Sequence, residues 1–302
     1  MGIFISNPGK YVQSVYEGIL LYSKTVLPSL FPFFFLTFLL THIGGVKYLS
    51  GAFSPLARLY GLNRDSSFII LMSFLSGYPI GAKLTSDYFK DGIIDNKQAK
   101  TLCAVASTSG PVFIIGTVGA MMLSDPKTGA LVYACHIMGA LVNGLFFKGK
   151  TDSSAAIIKP EEKAENLLKD AVYSSVLSVL CVGGFIAVSS FIIEIFKTVG
   201  IISVFEKCLW FIKNDSLKEG IVVSLFEMTN GINVLSKIKD IRLLLPAVTF
   251  SVSFGGLSVL LQCYAYLNGC GISFKEFFFK KITGALTATV IAYLVSLLLS
   301  VF

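Results

Sequence analysis

Long uncharged stretches alternate with short charged ones along this chain. Six of the uncharged stretches reach about 20 residues or more, the length that crosses the hydrocarbon core of a bilayer as an α-helix. They are Thr25–Val46, Thr101–Ser124, Thr128–Phe147, Ala171–Ile193, Leu243–Phe274 and Ile282–Phe302. The pattern predicts an all-α polytopic membrane protein.

A polar stretch, Lys148–Asp170, separates two halves in which the same types of segment follow in the same order. Each half has a long apolar segment, a shorter amphipathic stretch, an interrupted apolar run, a span dense in Ser and Gly, and a plain apolar span. In the first half these are Val15–Val46, Tyr48–Leu62, Ser66–Phe89, Leu102–Leu123 and Gly129–Phe147; in the second they are Val172–Phe196, Ile201–Ile212, Gly220–Ile238, Leu243–Tyr266 and Thr283–Phe302. We therefore predict two transmembrane repeats, residues 1–150 and 171–302, joined by a polar linker at residues 151–170.

The interrupted run of each half is its most informative segment. Ser76–Gly81 contains two glycines and a proline, and Pro79 has no N–H with which to continue a helix. Phe226–Gly231 holds the corresponding place in the second half. In hydrocarbon the freed backbone groups need partners from protein or cavity water, so we predict re-entrant helical hairpins at about residues 66–89 and 218–240. Paired interruptions of this kind point to a transporter's binding site; a proline-kinked ordinary span is the alternative.

The relative orientation of the halves follows from counting membrane crossings. Three full spans and one hairpin cross the membrane an odd number of times, so the second repeat enters from the opposite side and the repeats are inverted. Under this topology the face with Lys148–Asp170 and Lys275–Lys281 carries more Lys and Arg than the face with Lys197–Arg242. The positive-inside rule then favours the central linker as cytoplasmic.

The composition excludes several classes of protein. Hydrophobic residues make up 54% of the chain and charged residues 14%, with a mean hydropathy of +0.75. A soluble domain carries roughly 25% charged residues, so a soluble enzyme and a nucleic-acid-binding domain are excluded. The net charge of +7 comes from Lys and Arg near the ends of the apolar stretches, where they anchor to lipid headgroups. The six cysteines include no CxxC pair, which argues against a disulfide framework or a zinc site.

Four motifs resemble the YlbJ (SpoVV) family of sporulation integral membrane proteins, which are built on the Gate, or nucleoside-recognition, domain. They are Ser76–Thr85, Ser107–Gly119, Glu227–Gly231 and Ser253–Ser258. One departs from the family pattern, because the usual NTSNP reads Ser-Thr-Ser-Gly-Pro at residues 107–111. The resemblance implies a fold similar to concentrative nucleoside transporters. It also implies a role in moving dipicolinic acid out of the mother cell during spore formation.

Two charged residues at the interruptions are candidates for the transport chemistry. Glu227 follows an apolar stretch, and an ionisable group at membrane depth is costly enough to indicate a function. It would bind a coupling cation or proton, or accept a hydrogen bond from substrate; an acid reaching solvent at a hairpin end is the alternative. Lys83 lies within one helical turn of Gly81, where helix N-termini already favour anions. A lysine that extends to the interface is the alternative there.

Aromatic and small polar residues complete the predicted site. Tyr78 and Thr229 would stack on, or hydrogen-bond to, a planar ring, with ordinary turn roles as the alternative. Small polar residues on the Ser- and Gly-dense spans would expose carbonyls to ions, although close helix packing also explains them. The predicted substrate-binding residues are Gly77, Tyr78, Pro79, Lys83, Ser107, Thr108, Ser109, Glu227, Thr229, Asn230, Ser253 and Ser258.

Other polar residues are predicted to be structural. His42 and His136 have no second ligand at metal-binding spacing, so no metal site is predicted. The cluster Phe277–Lys281 is interpreted as the start of a helix at the membrane interface.

These features favour a secondary transporter of a small planar anion, with dipicolinic acid as the substrate that the resemblance implies. The alternatives are a nucleoside:cation symporter and a non-transporting membrane scaffold in sporulation. The chain has no GxxxxGK[ST] motif and no protease constellation, so we predict no enzyme, no nucleic-acid partner, no cofactor, and coupling to a gradient of Na⁺ or H⁺ or to a partner ATPase. Whether the chain forms a homo-oligomer in the lipid bilayer stays open.

Overall fold

The computed structural model describes residues 7–43, 45–149 and 166–299, and all regular structure in these ranges is helical. The first half contains α1 (Pro8–Leu21), α2 (Leu27–His42), α3 (Gly45–Ala52), α4 (Ser54–Leu59), α5 (Ser66–Ser76), α6 (Ile80–Lys90), α7 (Asn96–Val105) and α8 (Pro126–Phe146), with π-helical segments at Tyr22–Val26 and Val112–Met122. The second half contains α9 (Leu167–Val199), α10 (Ile201–Cys208), α11 (Asp215–Phe226), α12 (Met228–Leu235), α13 (Ile241–Phe254), α14 (Gly256–Leu267) and α15 (Phe274–Leu299), with a 3₁₀ turn at Asn268–Cys270.

The helices confirm a polytopic, all-α membrane protein. Four are long and apolar enough to cross a bilayer: α8, α9, the segment Ile241–Cys270 formed by α13 and α14, and α15. A fifth candidate span is the pair Pro8–Val26 and Leu30–His42, whose axes differ by 56°. The predicted linker falls mostly outside the described residues, and α9 begins at Leu167, so the last residues predicted to be linker are helical.

Two predicted spans are not continuous α-helices. In Thr101–Ser124, α7 ends at Val105 and helical structure resumes only at Val112, after Gly110 and Pro111. In the opening segment, a π-helical turn at Tyr22–Val26 joins α1 to α2. Pro28, at the start of α2, has no backbone N–H and its ring crowds the preceding turn, which is a recognised cause of helix bends.

The long helix α9 packs antiparallel along α1 and α2. Near one end Gly18 lies so close to Ser190 that an added Cβ would come within 2.6 Å of its Oγ. Further along, the ring of Tyr22 lies against Gly183 in the same way. Small residues thus let the helix backbones approach closely, as in other helix pairs within membranes.

Residues on either side of each predicted interruption lie in contact with each other. In the first broken pair, α5 and α6, Gly81 lies against Ser73, with an added Cβ 2.7 Å from its Oγ. In the second broken pair, α11 and α12, Leu235 lies against Gly220 although fifteen positions separate them in sequence. A kinked but continuous helix would hold such residues far apart, because each residue adds about 1.5 Å along its axis.

Candidate binding site between the broken helices

The turn of the first broken pair depends on a glycine. Gly77 has a φ of +82°, a conformation that other L-residues rarely adopt. A Cβ at this position would also lie 3.1 Å from the carbonyl carbon of Ser109 and closer still to the backbone nitrogen of Gly110. The first broken pair therefore packs directly, backbone to backbone, against the break between α7 and the following π-helix.

Buried hydroxyl groups form hydrogen bonds across this contact. Thr108 Oγ1 donates to the Ser73 carbonyl at 2.9 Å and lies 2.9 Å from Ser73 Oγ. Both side chains are buried. Thr108, predicted to bind substrate, thus directs its hydroxyl to the backbone of α5.

The turn of the second broken pair is built on a carboxylate. Glu227 is the N-cap of α12, and its oxygens accept hydrogen bonds from the backbone N–H groups of Thr229 at 3.0 Å and Asn230 at 2.7 Å. A negative charge at a helix N-terminus is stabilised by the free N–H groups and the helix dipole. Glu227 is only 2% exposed. The carboxylate is therefore held in place at the break by its own helix.

Both breaks line one small space, here called the central cavity, of about 40 Å³. This is room for a few water molecules. Of the predicted binding residues, it is lined by Gly77, Tyr78, Ser109, Glu227, Thr229 and Ser258. The remaining lining residues are Val26, Leu30, Ser76, Gly110, Phe113, Val182, Ile186, Met228, Val259 and Gln262. The structure thus brings together residues from both halves that sequence reasoning assigned to one site.

A buried lysine lies next to this cavity. Lys281 Nζ donates to the Tyr78 hydroxyl at 2.6 Å and to the Ser107 carbonyl at 3.2 Å, and it lies 4.3 Å from the centroid of the Tyr78 ring. Only 3% of the residue is exposed. Within the described part of the chain, no carboxylate forms an ion pair with it. Tyr78 is the side chain that links this ammonium group to the central cavity.

The interpretation of Phe277–Lys281 as an interfacial helix start is wrong for Lys281. The buried positions of α15 recur every three or four residues and so define one inward face of the helix. They include Phe277, Lys281, Ala285, Ala288, Ala292 and Ser296. The sequence signal for a buried lysine was its place on this face of small side chains.

His136 joins the two halves beside the cavity. Its Nε2 accepts a hydrogen bond from the backbone N–H of Ser109 at 2.9 Å, and its Nδ1 lies 2.8 Å from Ser253 Oγ. Because Nε2 is an acceptor, the ring is neutral and carries its proton on Nδ1, which donates to Ser253. The Ser253 carbonyl in turn accepts from the Tyr78 hydroxyl at 3.2 Å. A chain of polar contacts therefore connects Lys281, Tyr78, Ser253 and His136.

Several predicted residues lie away from the central cavity. Lys83 donates to the hydroxyls of Ser174 at 3.2 Å and Ser178 at 3.4 Å on α9, and it lines a different cavity. Asn230 lines a third cavity on the other side of the second break. The others are Pro79, which caps α6, Thr108, and Ser107 and Ser253, which line a small adjoining space together with Lys281. In the described ranges no group of three His, Cys, Asp or Glu side chains could hold a metal ion.

A cavity between two broken helix pairs, inside a set of membrane-capable helices, is the arrangement in which membrane transporters commonly build their binding sites. Residues 23–126 match the family model Gate, described as "Nucleoside recognition". The chain is 28% identical to the sporulation integral membrane protein YlbJ of Bacillus subtilis (strain 168), over 96% of this chain and 78% of that protein. No solved structure matches the chain. The resemblance predicted from the motifs is thereby confirmed, and the chain is an integral membrane protein that is similar to YlbJ.

Proposed function

We propose that this protein is a secondary transporter of a small planar anion, with dipicolinic acid as its substrate during spore formation. The observation that carries the proposal is the buried ammonium group of Lys281, which has no carboxylate partner among the described residues. An uncompensated charge inside a membrane protein is costly and marks a functional site. An anion in the central cavity would supply the missing negative charge across the Tyr78 ring.

The residues around the central cavity fit a flat, charged ligand. Tyr78 offers the face of an aromatic ring, and Thr229, Ser258 and Gln262 offer groups that donate hydrogen bonds. The cavity is too small for an aromatic dicarboxylate as it stands, so binding requires the two breaks to move apart. We propose that the substrate then contacts the predicted residues that line it, namely Gly77, Tyr78, Ser109, Glu227, Thr229 and Ser258, under the field of Lys281.

We propose Glu227 as the coupling group. Its carboxylate faces the central cavity and is held at the N-terminus of α12, where it would bind a proton or a cation. A cation bound there would offset the charge that an entering anion brings close to Glu227. The gradient of H⁺ or Na⁺ would then drive movement of the anion.

The proposed transport also rests on inverted repeats with re-entrant hairpins. Corresponding contacts occur in both halves and support this arrangement. Ser73 bonds to Thr108 in the first half as Ser224 bonds to Ser251, at 2.8 Å between hydroxyl oxygens, in the second. In each half this serine lies on the first helix of the broken pair and its partner lies on the broken span that follows. The antiparallel packing of α9 on α1 and α2 is what two inverted first spans would produce.

A nucleoside:cation symporter is the second candidate, and the Gate description "Nucleoside recognition" favours it. A nucleoside is neutral, so it would leave the charge of Lys281 without a partner. The two candidates therefore differ in whether Lys281 is needed for transport.

The decisive experiment measures uptake of labelled dipicolinate and uridine by proteoliposomes. It compares the native chain with Lys281→Met and Lys280→Met, each normalised to folded protein. Lys280 is a matched control, because it is also buried but forms an ion pair with Glu276 at 2.8 Å. We expect dipicolinate uptake that Lys281→Met abolishes and Lys280→Met retains. Uridine uptake unaffected by Lys281→Met would support the nucleoside carrier, and no uptake of either compound would support a scaffold; both results would overturn the proposal.

A further inference from the structure

Two larger cavities are lined by residues that lie close in sequence to those of the central cavity. The wide cavity has a volume of about 540 Å³ and is lined on its polar side by Glu17, Lys24, Glu194, Lys197, Asn230 and Asn233. The side cavity has a volume of about 290 Å³ and is lined on its polar side by Thr37, Thr41, His42, Lys83, Asp87 and Ser174. Each contains at least one lysine and one carboxylate.

The three cavities follow one another along α9. Ser174 lines the side cavity, Val182 and Ile186 line the central cavity, and Ser190 and Glu194 line the wide cavity. From Ser174 to Glu194 an α-helix rises about 30 Å, at 1.5 Å a residue. This is about the thickness of the hydrocarbon core of a bilayer. The wide and side cavities therefore lie near opposite ends of a single membrane span.

The bent segment of α1 and α2 gives the same order in the reverse direction. Lys24 lines the wide cavity, Val26 and Leu30 line the central cavity, and Thr41 lines the side cavity. The π-helical turn at Tyr22–Val26 thus lies beside the boundary between the wide and central cavities. Two antiparallel spans independently place the cavities in one row.

Each broken pair stands between the central cavity and one of its neighbours. In the second pair, Thr229 faces the central cavity and the next residue, Asn230, faces the wide cavity. In the first pair, Tyr78 faces the central cavity and Ile80 faces the side cavity. A hydrogen bond of 3.4 Å joins Thr37, which lines the side cavity, to Ser76, which lines the central cavity.

We propose that the wide, central and side cavities form one route through the protein, with the wide and side cavities as its mouths on opposite faces of the membrane. The second broken pair closes the wide mouth and the first closes the side mouth. Lys24 and Lys197 at one mouth and Lys83 at the other would attract a small carboxylate anion. This inference rests on the proposed function for the identity of the anion, but the position of the route does not depend on it.

Cysteine labelling from each side of the membrane tests the route. In a chain whose native cysteines are replaced by serine or alanine, single cysteines are placed at Asn233 in the wide cavity and at Thr41 in the side cavity, and reacted with a membrane-impermeant maleimide. Leu180 is the control position, because it lies on α9 but is 57% exposed on the outer surface of the structure, away from these cavities. If Asn233→Cys or Thr41→Cys fails to fold, Val234→Cys or Ser174→Cys takes its place in the same cavity.

We expect the two cavity cysteines to react only from opposite faces and Leu180→Cys to react from neither. Reaction of both from the same face, or no reaction beyond that of Leu180→Cys, would overturn the route. A second arm adds dipicolinate or uridine during labelling. Protection by dipicolinate supports the anion as the cargo, whereas opposite-face labelling without protection by dipicolinate retains the route and rejects its proposed cargo.

Discussion

Lys281 Nζ lies 2.6 Å from the hydroxyl oxygen of Tyr78, so a cation on the last helix is bonded to the turn of the first broken pair. The two residues are 203 positions apart in sequence. The Tyr78 hydroxyl also donates to the carbonyl oxygens of Val252 and Ser253 at 3.3 and 3.2 Å. One phenol therefore joins the first break, the last turn of α13, and α15.

Replacing Lys281 by methionine should separate stability from function. The variant removes a buried charge that lacks a carboxylate partner and keeps a side chain of similar length. We therefore expect the free energy of unfolding to rise by about 1–2 kcal/mol. Thermal unfolding in detergent should show a midpoint raised by roughly 2–4 °C. Binding of dipicolinate should be lost in the same preparation. A lowered midpoint would mean that the lysine is chiefly a structural group.

The hydroxyl group of Tyr78 should contribute to the stability of the folded protein. Tyr78→Phe removes the acceptor for Lys281 and the donor to the α13 carbonyls while it keeps the ring. We expect the free energy of unfolding to fall by about 1–3 kcal/mol, because Lys281 and the α13 carbonyls stay buried but lose a hydrogen-bond partner. Thermal unfolding of Tyr78→Phe, beside Tyr133→Phe as a control whose hydroxyl donates to the Phe74 carbonyl, measures the difference. Equal losses in the two variants would contradict the central position of Tyr78.

Glu227→Gln should uncouple transport and leave the fold nearly intact. The amide oxygen still accepts one of the two backbone hydrogen bonds at the start of α12, so we expect a stability loss of only about 1 kcal/mol. Uptake driven by a pH or Na⁺ gradient should fall to the level seen without a gradient. Glu219→Gln, an exposed acid on α11 of the same broken pair, is the control and should transport normally. Gradient-driven uptake by Glu227→Gln equal to the native rate would reject Glu227 as the coupling group.

Adding one methyl group at Gly77 should be more damaging than adding it elsewhere. In Gly77→Ala the new side chain would stand on a backbone with a φ near +82° and would overlap the backbone of Ser109 and Gly110. We therefore expect the free energy of unfolding to fall by about 2 kcal/mol or more. Gly184→Ala is the matched control, since Gly184 is helical and a Cβ there meets nothing within 4 Å. Chemical or thermal unfolding of the two variants tests this. A control as unstable as Gly77→Ala would show that the close contact is unimportant.

The cap of α8 should contribute a measurable dependence on pH. Asp125 accepts hydrogen bonds from the Thr128 hydroxyl at 2.7 Å and the Lys127 backbone N–H at 2.9 Å, which lowers the pKa of its carboxyl below the ordinary value. A carboxyl whose pKa is lowered in the folded state stabilises that state at pH values above the pKa it has in the unfolded chain, which is about 4. The stabilisation is lost as the pH falls further, toward the lowered pKa. Asp125→Ala should therefore lower the unfolding midpoint by about 2–4 °C at pH 7 and by less at about pH 3. An equal shift at both values would show that ionisation of Asp125 has no part in the cap.

The sequence was sufficient for the features that depend on local chemistry. In lipid an apolar run without charge is expected to be mostly helical, and the Gly and Pro residues at Ser76–Gly81 cannot continue a helix. It also drew attention to Glu227, an acid in an apolar run, and the structure places this residue at the second break, where it lines the central cavity. These predictions used neighbours along the chain and needed no knowledge of packing.

The parts of the site that sequence reasoning missed depend on contacts between distant segments. Phe277–Lys281 resembles an interfacial helix start in a short local window, and packing against the first break shows that Lys281 points inward. Thr108 was predicted to bind substrate, but its hydroxyl donates to the carbonyl of Ser73 on α5. Lys83 lies as close to its break in sequence as expected, but the rotation of α6 directs it toward α9 instead of the central cavity.

The bridge made by His136 between Ser109 and Ser253 has a consequence for how the protein is made. During synthesis the first half enters the membrane before Ser253 and Lys281 have been synthesised. At that stage the imidazole of His136 and the phenol of Tyr78 lack the hydrogen-bond partners that they have in the complete chain. Until the last helix is inserted, these polar groups need hydrogen bonds from water or from the insertion machinery.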